Sequence, residues 1–590
     1  MVKHPRIPKC AWGINILSVI VALVLLIDVV NAAQPLQLEW SSTHYGPDGP
    51  WQAIIVSVGG NETDVRIGSS NAGAQATVDL LPGSVWEVFA LAPDVCNPYP
   101  NSRCGKGGFW TPNDDDTNPN NLIEISAGLT PLQWSGGDGN SFVAQAVSVA
   151  ASNINGNQTV YNASLASVTN ATITNPDGSK RGPELGFFSL GNTSPSQNFS
   201  LNTTEGTSIS TEIVIAGLQA SNIIPSYSFG LHYGSAALNY QGSLVLGGYD
   251  RSRLIGPLTT FNHDNSGSLN SLTLLDVGIG IETGGSPFNF PGTDQSGLLT
   301  RNTSEAGDIQ VTIDPSTPYL VLPQKTCQKL SNYLPISFDK SLKYWVWQTS
   351  DPNYKKIINS PTYLSFTFPP SLGASDNAII KVPIALLNLT LDEGITNKKT
   401  PYFPCLDLSN NDGNYVLGRA FLQAAFYGAN LAQNQAWIAQ APGPGQPGNG
   451  EPGPVSSDVQ ALAATDPRPD PSSLNNDENA FSQSWAAYWT PLATPPATLL
   501  NSGSGGLSTG AKAGIGVGVA VGALALIAGA LLFWLRRRRA ANRDAAHERS
   551  SNEPMIQQED HGYKGPSELA GGPDGTAYAT YEADSGTIFT

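Results

Sequence analysis

Short apolar runs separated by turn residues fill residues 34–441. Trp51-Gln-Ala-Ile-Ile-Val-Ser-Val58, Ser141-Phe-Val-Ala-Gln-Ala-Val-Ser-Val149 and Gly242-Ser-Leu-Val-Leu-Gly-Gly248 are rich in residues that suit a pleated, half-buried backbone. Amphipathic helical stripes are scarce. The pattern therefore predicts a mainly β fold, too long for one small barrel, in two packed lobes at 33–215 and 216–441. Residues 442–511 break the rhythm with Pro, Gly, Ser, Asn and Asp, and predict an unstructured stalk. Trp485, Tyr488 and Trp489 form the stalk's one aromatic cluster. Two longer apolar runs lie outside the β region, at 16–27 and 513–535.

The flanks of those runs assign them different roles. Lys3, Arg6 and Lys9 precede the first, and the small residues around Ala32 follow it, so residues 1–32 read as a secretory signal cleaved after Ala32. The second run carries no charge and is long enough to cross a bilayer. Four arginines at 536–539 follow at once, which places the polar 536–590 tail in the cytosol. The expected topology is a type I, single-span protein at the plasma membrane or cell surface. Gly514, Gly518 and Gly522 put small residues on one helix face and offer a route to a homodimer.

Composition fits an exported chain. Lys and Arg number 30 against 47 Asp and Glu, a net charge of −17, so the basic stripe that nucleic acid requires is missing. Of the 5 cysteines, Cys10 leaves with the signal. Cys96, Cys104, Cys327 and Cys405 allow three pairings in an oxidising compartment. The favoured one joins Cys96 to Cys104 as a short loop closure and Cys327 to Cys405 across the later half. Glycosylation sequons begin at Asn61, Asn157, Asn162, Asn170, Asn192, Asn198, Asn202, Asn302 and Asn388, all ahead of the expected span.

One motif occurs twice. Ile313-Asp314-Pro315-Ser316-Thr317-Pro318-Tyr319-Leu320 puts an aspartate at the tip of an apolar strand before a tight turn. Val78-Asp79-Leu80-Leu81-Pro82-Gly83-Ser84 has the same shape, with Leu81 at the place of the aspartate. The later copy resembles the second active-site segment of pepsin-like aspartic proteases. Leu185-Gly-Phe-Phe-Ser-Leu190-Gly191, Phe229-Gly-Leu231 with Gly242-Ser-Leu-Val-Leu-Gly-Gly-Tyr-Asp250, and Tyr415-Val-Leu-Gly-Arg-Ala-Phe-Leu422 resemble further segments of that family in the same order. The resemblance implies a bilobal pepsin-like fold in which each lobe's psi-loop aims its motif into a central cleft. It also agrees with the favoured disulfide pairing, one bridge after each active-site segment.

Peptide hydrolysis of this kind needs two carboxylates that share a proton and straddle one water. On the resemblance, Asp314 is the second-lobe acid and Leu81 stands at the first-lobe position, so half of the dyad is lost. Pro82 and Pro315 replace threonines whose hydroxyls tie the lobes together, and neither has an amide donor. Ser316 replaces a glycine. A flap is expected near 134–139, with Trp134 in place of the family's tyrosine. Asp79 lies two residues upstream of Leu81, about 6–7 Å back along an extended strand, too far to substitute. Asp314 itself reads either as a hydrogen-bonded structural acid or as a residual ligand contact.

Other signals add little. The 6 histidines, His4, His44, His232, His263, His547 and His561, lack metal-ligand spacing, and no metal or other cofactor is expected. Gly506-Leu-Ser508-Thr-Gly510 matches a nucleophile elbow without the strand and helix that make one. The leading expectation is a membrane-anchored pseudo-protease whose cleft takes an extended peptide or protein ligand. Two alternatives stand beside it: an acid endopeptidase pairing Asp314 with an unrecognised second acid, and a surface sensor or adhesin.

Overall fold

The computed structural model describes residues 32–59, 75–100, 102–111, 123–125, 134–136, 140–191, 193–200, 208–262, 271–301, 307–370, 375–406, 415–445 and 456–494. Residues 1–31 of the expected 1–32 signal, the apolar run 513–535 with its glycines, the 536–590 tail, and Asn61, Asn192, Asn202 and Asn302 lie outside these residues. No helix among the described residues is long and apolar enough to cross a membrane.

The architecture is mainly β, in agreement with a pepsin-like fold. A nine-stranded sheet forms the first lobe, and five- and four-stranded sheets form the second. A six-stranded sheet draws strands from distant parts of the chain: Leu36–Gln37, Ser243–Leu246, Ser228–His232, Ala425–Asn430, Gln435–Gln440 and Ile255–Asn262, in that spatial order. Its central strands Ser228–His232 and Ala425–Asn430 are buried at every position, whereas the edge strand Ile255–Asn262 is partly open. The boundary expected at 215/216 falls inside the helix Val214–Ala220, whose Gly217 packs on Val160 of the first lobe. The chain thus leaves that lobe after this helix.

Each lobe contains the same strand arrangement. In the first, Ala76–Gly83 runs parallel to Gly186–Ser189, which pairs antiparallel with Val88–Leu91 through Phe187 and Phe89. In the second, Ile309–Ile313 runs parallel to Tyr415–Leu417, which pairs antiparallel with Leu320–Val321. Both disulfides form as favoured, Cys96 to Cys104 and Cys327 to Cys405.

The stalk expectation needs correction for residues 456–494. Val459–Ala461 pairs antiparallel with Gly248–Asp250, and Arg251 grips Asp458 at 2.7 Å. The helix Ala480–Trp485 docks its aromatic cluster on the β region, with Trp485 and Trp489 stacked at 5.6 Å and both buried. Further on, Thr490 donates to Asn359 O and Gly285 to Leu492 O. Average composition hid this, because a few large aromatic side chains supply enough buried apolar area to offset the ordering of a polar segment.

Candidate functional site

Asp314 follows the last residue of its strand, and its amide donates to Leu417 O at 3.3 Å. The turn then folds back on the carboxylate. Ser316 N donates to Oδ1 at 2.9 Å, Ser316 Oγ to Oδ2 at 2.5 Å and Thr317 Oγ1 to Oδ2 at 3.0 Å. From the first lobe, Ser84 N approaches Oδ1 at 3.4 Å, while Ser84 Oγ reaches Ile313 O at 3.5 Å. None of these donors is an acid. Placing Ser where the family has glycine adds the hydroxyl that occupies Oδ2, one of the two oxygens a catalytic water would use.

Leu81 does sit in the first-lobe strand, paired with Phe187, and is 7% exposed. The first-lobe groups that reach the Asp314 turn are, however, Ser84 and Gly83; a side chain on Gly83 would meet Ser316 Cβ at 3.4 Å. The first lobe therefore brings a backbone amide to the acid, a serine hydroxyl to the carbonyl before it and a bare glycine against Ser316. Asp79 is engaged elsewhere: its carboxylate accepts a short hydrogen bond from the Tyr45 hydroxyl, and its amide donates to Gly107 O at 2.7 Å. Burial, together with Asp79, pushes the Tyr45 hydroxyl well above its usual pKa.

Around this point lies a small cavity of about 50 Å³, lined by Leu81, Trp134 and Phe187 from one lobe and Ser316, Pro318 and Arg419 from the other. That volume holds roughly a few waters. Trp134 packs edge-on against Phe187, with centroids 5.0 Å apart, so it lies at the cleft as expected. Its strand Trp134–Gly136 pairs with Ala171–Thr174.

Several cleft residues were not anticipated. Arg419 is buried, donates to Pro315 O at 2.9 Å and Ser316 O at 2.8 Å, and lies over Trp51 at 4.9 Å. It thereby holds the carbonyls of the Asp314 turn, which Pro315 has stripped of an amide. Tyr45, Gly46, Pro47 and Asp48 form a loop that fills the cleft beside them. Asp48 is 2% exposed and accepts from Trp51 Nε1 at 2.8 Å and the Tyr319 hydroxyl at 3.0 Å, with Arg181 at 3.6 Å. Glu184 accepts from Gly46 N at 2.6 Å and pairs with Arg103 at 2.8 Å. Arg419 had a legible signal, a cation inside the Leu417-Gly-Arg-Ala-Phe421 block; Asp48, in a Gly- and Pro-rich loop, had none.

Among the described residues no group of three or more His, Cys, Asp or Glu side chains is placed to hold a metal. Of the described sequons, Asn157, Asn170 and Asn198 are exposed. Asn162 and Asn388 are half-buried, their amides bonded to Ser210 O and the Tyr354 hydroxyl.

The paired psi-loops and the lobes' shared sheet define the class: an acid-protease-like β protein. Residues 159–441 match the family model of eukaryotic aspartyl protease, which supports the pepsin-like family for this span. The match begins after the first-lobe turn that lacks an acid. No curated protein matches the chain.

Proposed function

We propose that this protein is a pepsin-like ectodomain without peptide-hydrolysing activity, tethered to the cell surface, whose cleft walls bind an extended peptide or a surface partner. The observation that carries the reading is the state of Asp314. Its carboxylate accepts from Ser316 and Thr317 of its own turn and from Ser84 N of the first lobe, and no acidic group is among these partners. A general base needs a free lone pair on its water and a partner acid to polarise the scissile carbonyl. Neither requirement is met by these contacts. Binding asks less, since cleft walls and strand edges recognise extended backbone without an acid dyad.

The apolar run 513–535 as membrane anchor, an exported and glycosylated ectodomain, a cytosolic tail and pairing through Gly514, Gly518 and Gly522 complete the proposal. They rest on the sequence patterns alone.

The test is incubation of the full-length protein with a denatured protein substrate at about pH 3–5, where aspartic dyads titrate. The expected outcome is an intact substrate, alongside retention of labelled extended peptides by the same preparation. Cleavage that a statine-type inhibitor blocks and Asp314→Asn abolishes would return the protein to the active endopeptidases.

A further inference from the structure

The hairpin of strands Asn140–Ala150 and Asn157–Val168 turns through residues 151–156. One side of that turn grips the first described strand, Leu36–Gln37, and the residue before it. Ser152 N donates to Gln37 O at 2.8 Å, Asn153 Nδ2 to Pro35 O at 2.8 Å, and Gln37 N to Asn153 Oδ1 at 2.9 Å. Ile154 packs against the core.

The last two residues of the turn are held by nothing. Asn155 and Gly156 are exposed, and among the described residues neither meets a hydrogen-bond partner. No atom lies within 4 Å of where a Cβ on Gly156 would stand. Gly156 has φ +83°, a conformation that favours glycine, so the turn itself calls for the smallest residue after Asn155. No other described asparagine precedes a glycine.

An asparagine side-chain carbonyl is attacked by the next residue's amide nitrogen when certain conditions coincide. The side chain must be free to rotate, the amide free to lose its proton, and the path clear of a Cβ. Asn155 and Gly156 meet all of them. Asn153 does not: its amide group is bonded through both Oδ1 and Nδ2, and β-branched Ile154 follows it.

We propose that Asn155 is a site of spontaneous deamidation, and that its product loosens the grip on residues 35–37. Gly156 N loses its proton to hydroxide and bonds to Asn155 Cγ; the Cγ–Nδ2 bond breaks and ammonia leaves. Water then opens the five-membered succinimide at either carbonyl, giving aspartate or isoaspartate. One negative charge is gained and no oxidation state changes. In isoaspartate the main chain runs through Cβ, so the turn gains a backbone atom between the gripping side and Asn157, the partner of Ala150. No residue of the Asp314 turn takes part, and failure here would leave the reading of the cleft unchanged.

Storage of the full-length protein in mildly alkaline buffer, followed by peptide mapping and isoaspartyl methyltransferase labelling, tests it. Asn155 should convert within about threefold of its rate in a synthetic 150–160 peptide, because the native turn gives it no protection. Asn153 should stay intact over the same period. Asn155→Gln, whose longer side chain needs a less favoured six-membered ring, should abolish the label. The methyltransferase ignores the ordinary aspartate that enzymatic removal of a glycan would leave at Asn157. In the isolated isoaspartyl form, hydrogen exchange at the Gln37 amide should rise about tenfold, the worth of one hydrogen bond. Protection of Asn155 by more than about tenfold against the peptide would overturn the assignment. Label that persists in Asn155→Gln would overturn it too, and unchanged exchange at Gln37 would overturn the link to the first strand.

Discussion

The two psi-loops follow one strand plan and end in different chemistry. In the second lobe, Ile309–Ile313 delivers Asp314 into a turn whose own donors hold both carboxylate oxygens. In the first, Ala76–Gly83 ends on a glycine, and Ser84 is what crosses to the other lobe. The ladders are made by main-chain groups and by alternating apolar side chains, neither of which requires an acid at the strand tip. Scaffold and strand-tip chemistry are thus separable: the same strand plan forms whether or not the residue at the motif position is an acid. The second-lobe turn has been rebuilt rather than merely left, with Ser316 bonding the aspartate and Arg419 bonding the carbonyls around it.

The disulfides give the largest expected contrast between the lobes. The Cys327–Cys405 bridge closes a separation of 78 residues and the Cys96–Cys104 bridge one of 8. On the loop-entropy account, serine replacement of the first pair should cost about 4.5 kcal/mol and of the second about 2.5 kcal/mol, read from denaturant midpoints. Equal losses would mean that native strain, not loop length, governs them.

Next comes Arg419→Leu. It removes two charge-assisted hydrogen bonds and the contact over Trp51, so a loss of about 3 kcal/mol is expected, and Arg419→Lys should recover little because one ammonium cannot reproduce the planar fork. A neutral effect would show that the Asp314 turn stands without its support.

Asp314→Asn should cost about 2 kcal/mol, since the amide nitrogen faces donors that the carboxylate had accepted. Ser84→Ala should cost less, about 0.5–1 kcal/mol, because it removes the hydroxyl's long bond to Ile313 O while the amide's approach to Asp314 stays. If Ser84→Ala proves the more damaging, the first lobe organises the site more than the second.

At neutral pH the smallest effect belongs to the sheet that the lobes share, and it grows only on acidification. His232 is fully buried, with Nε2 3.0 Å from Gln423 O and Nδ1 3.4 Å from Arg253, so the ring is neutral and donates through Nε2. Burial first and Arg253 second pull its pKa from 6.5 to about 3, against the Gln423 carbonyl. Between these values the unfolded chain binds a proton that the folded one refuses. Stability should therefore fall as pH drops through this window, by at most about 1.4 kcal/mol per pH unit. His232→Gln should flatten that slope in pH-dependent melting; an unchanged slope would place the acid sensitivity elsewhere.

Much of this was legible in the residues. Period-2 and apolar runs marked the strands, the collinear motifs implied the lobes, and Cys96, Cys104, Cys327 and Cys405 paired as favoured. The missing acid was legible too, although the residue that meets Asp314 was not. Leu81 occupies the motif position, yet strand register brings Ser84 N to the carboxylate and Gly83 against Ser316. A shift along a strand leaves the sequence pattern intact while changing which group arrives at a distant turn. The docked 456–494 segment was misread for a related reason: burial of Trp485 and Trp489 depends on a surface that other parts of the chain provide.

By itself the chain's order of residues determined the β character, the paired motifs, the oxidised cysteines and the absence of an acid at the first-lobe motif, because each depends on local propensity or residue identity. Only the tertiary structure decided that Asp314 is bonded by its own turn, that Arg419 supports that turn, and that Asp79 belongs to Tyr45. Those outcomes depend on distances between residues far apart in the chain, and packing alone fixes such distances.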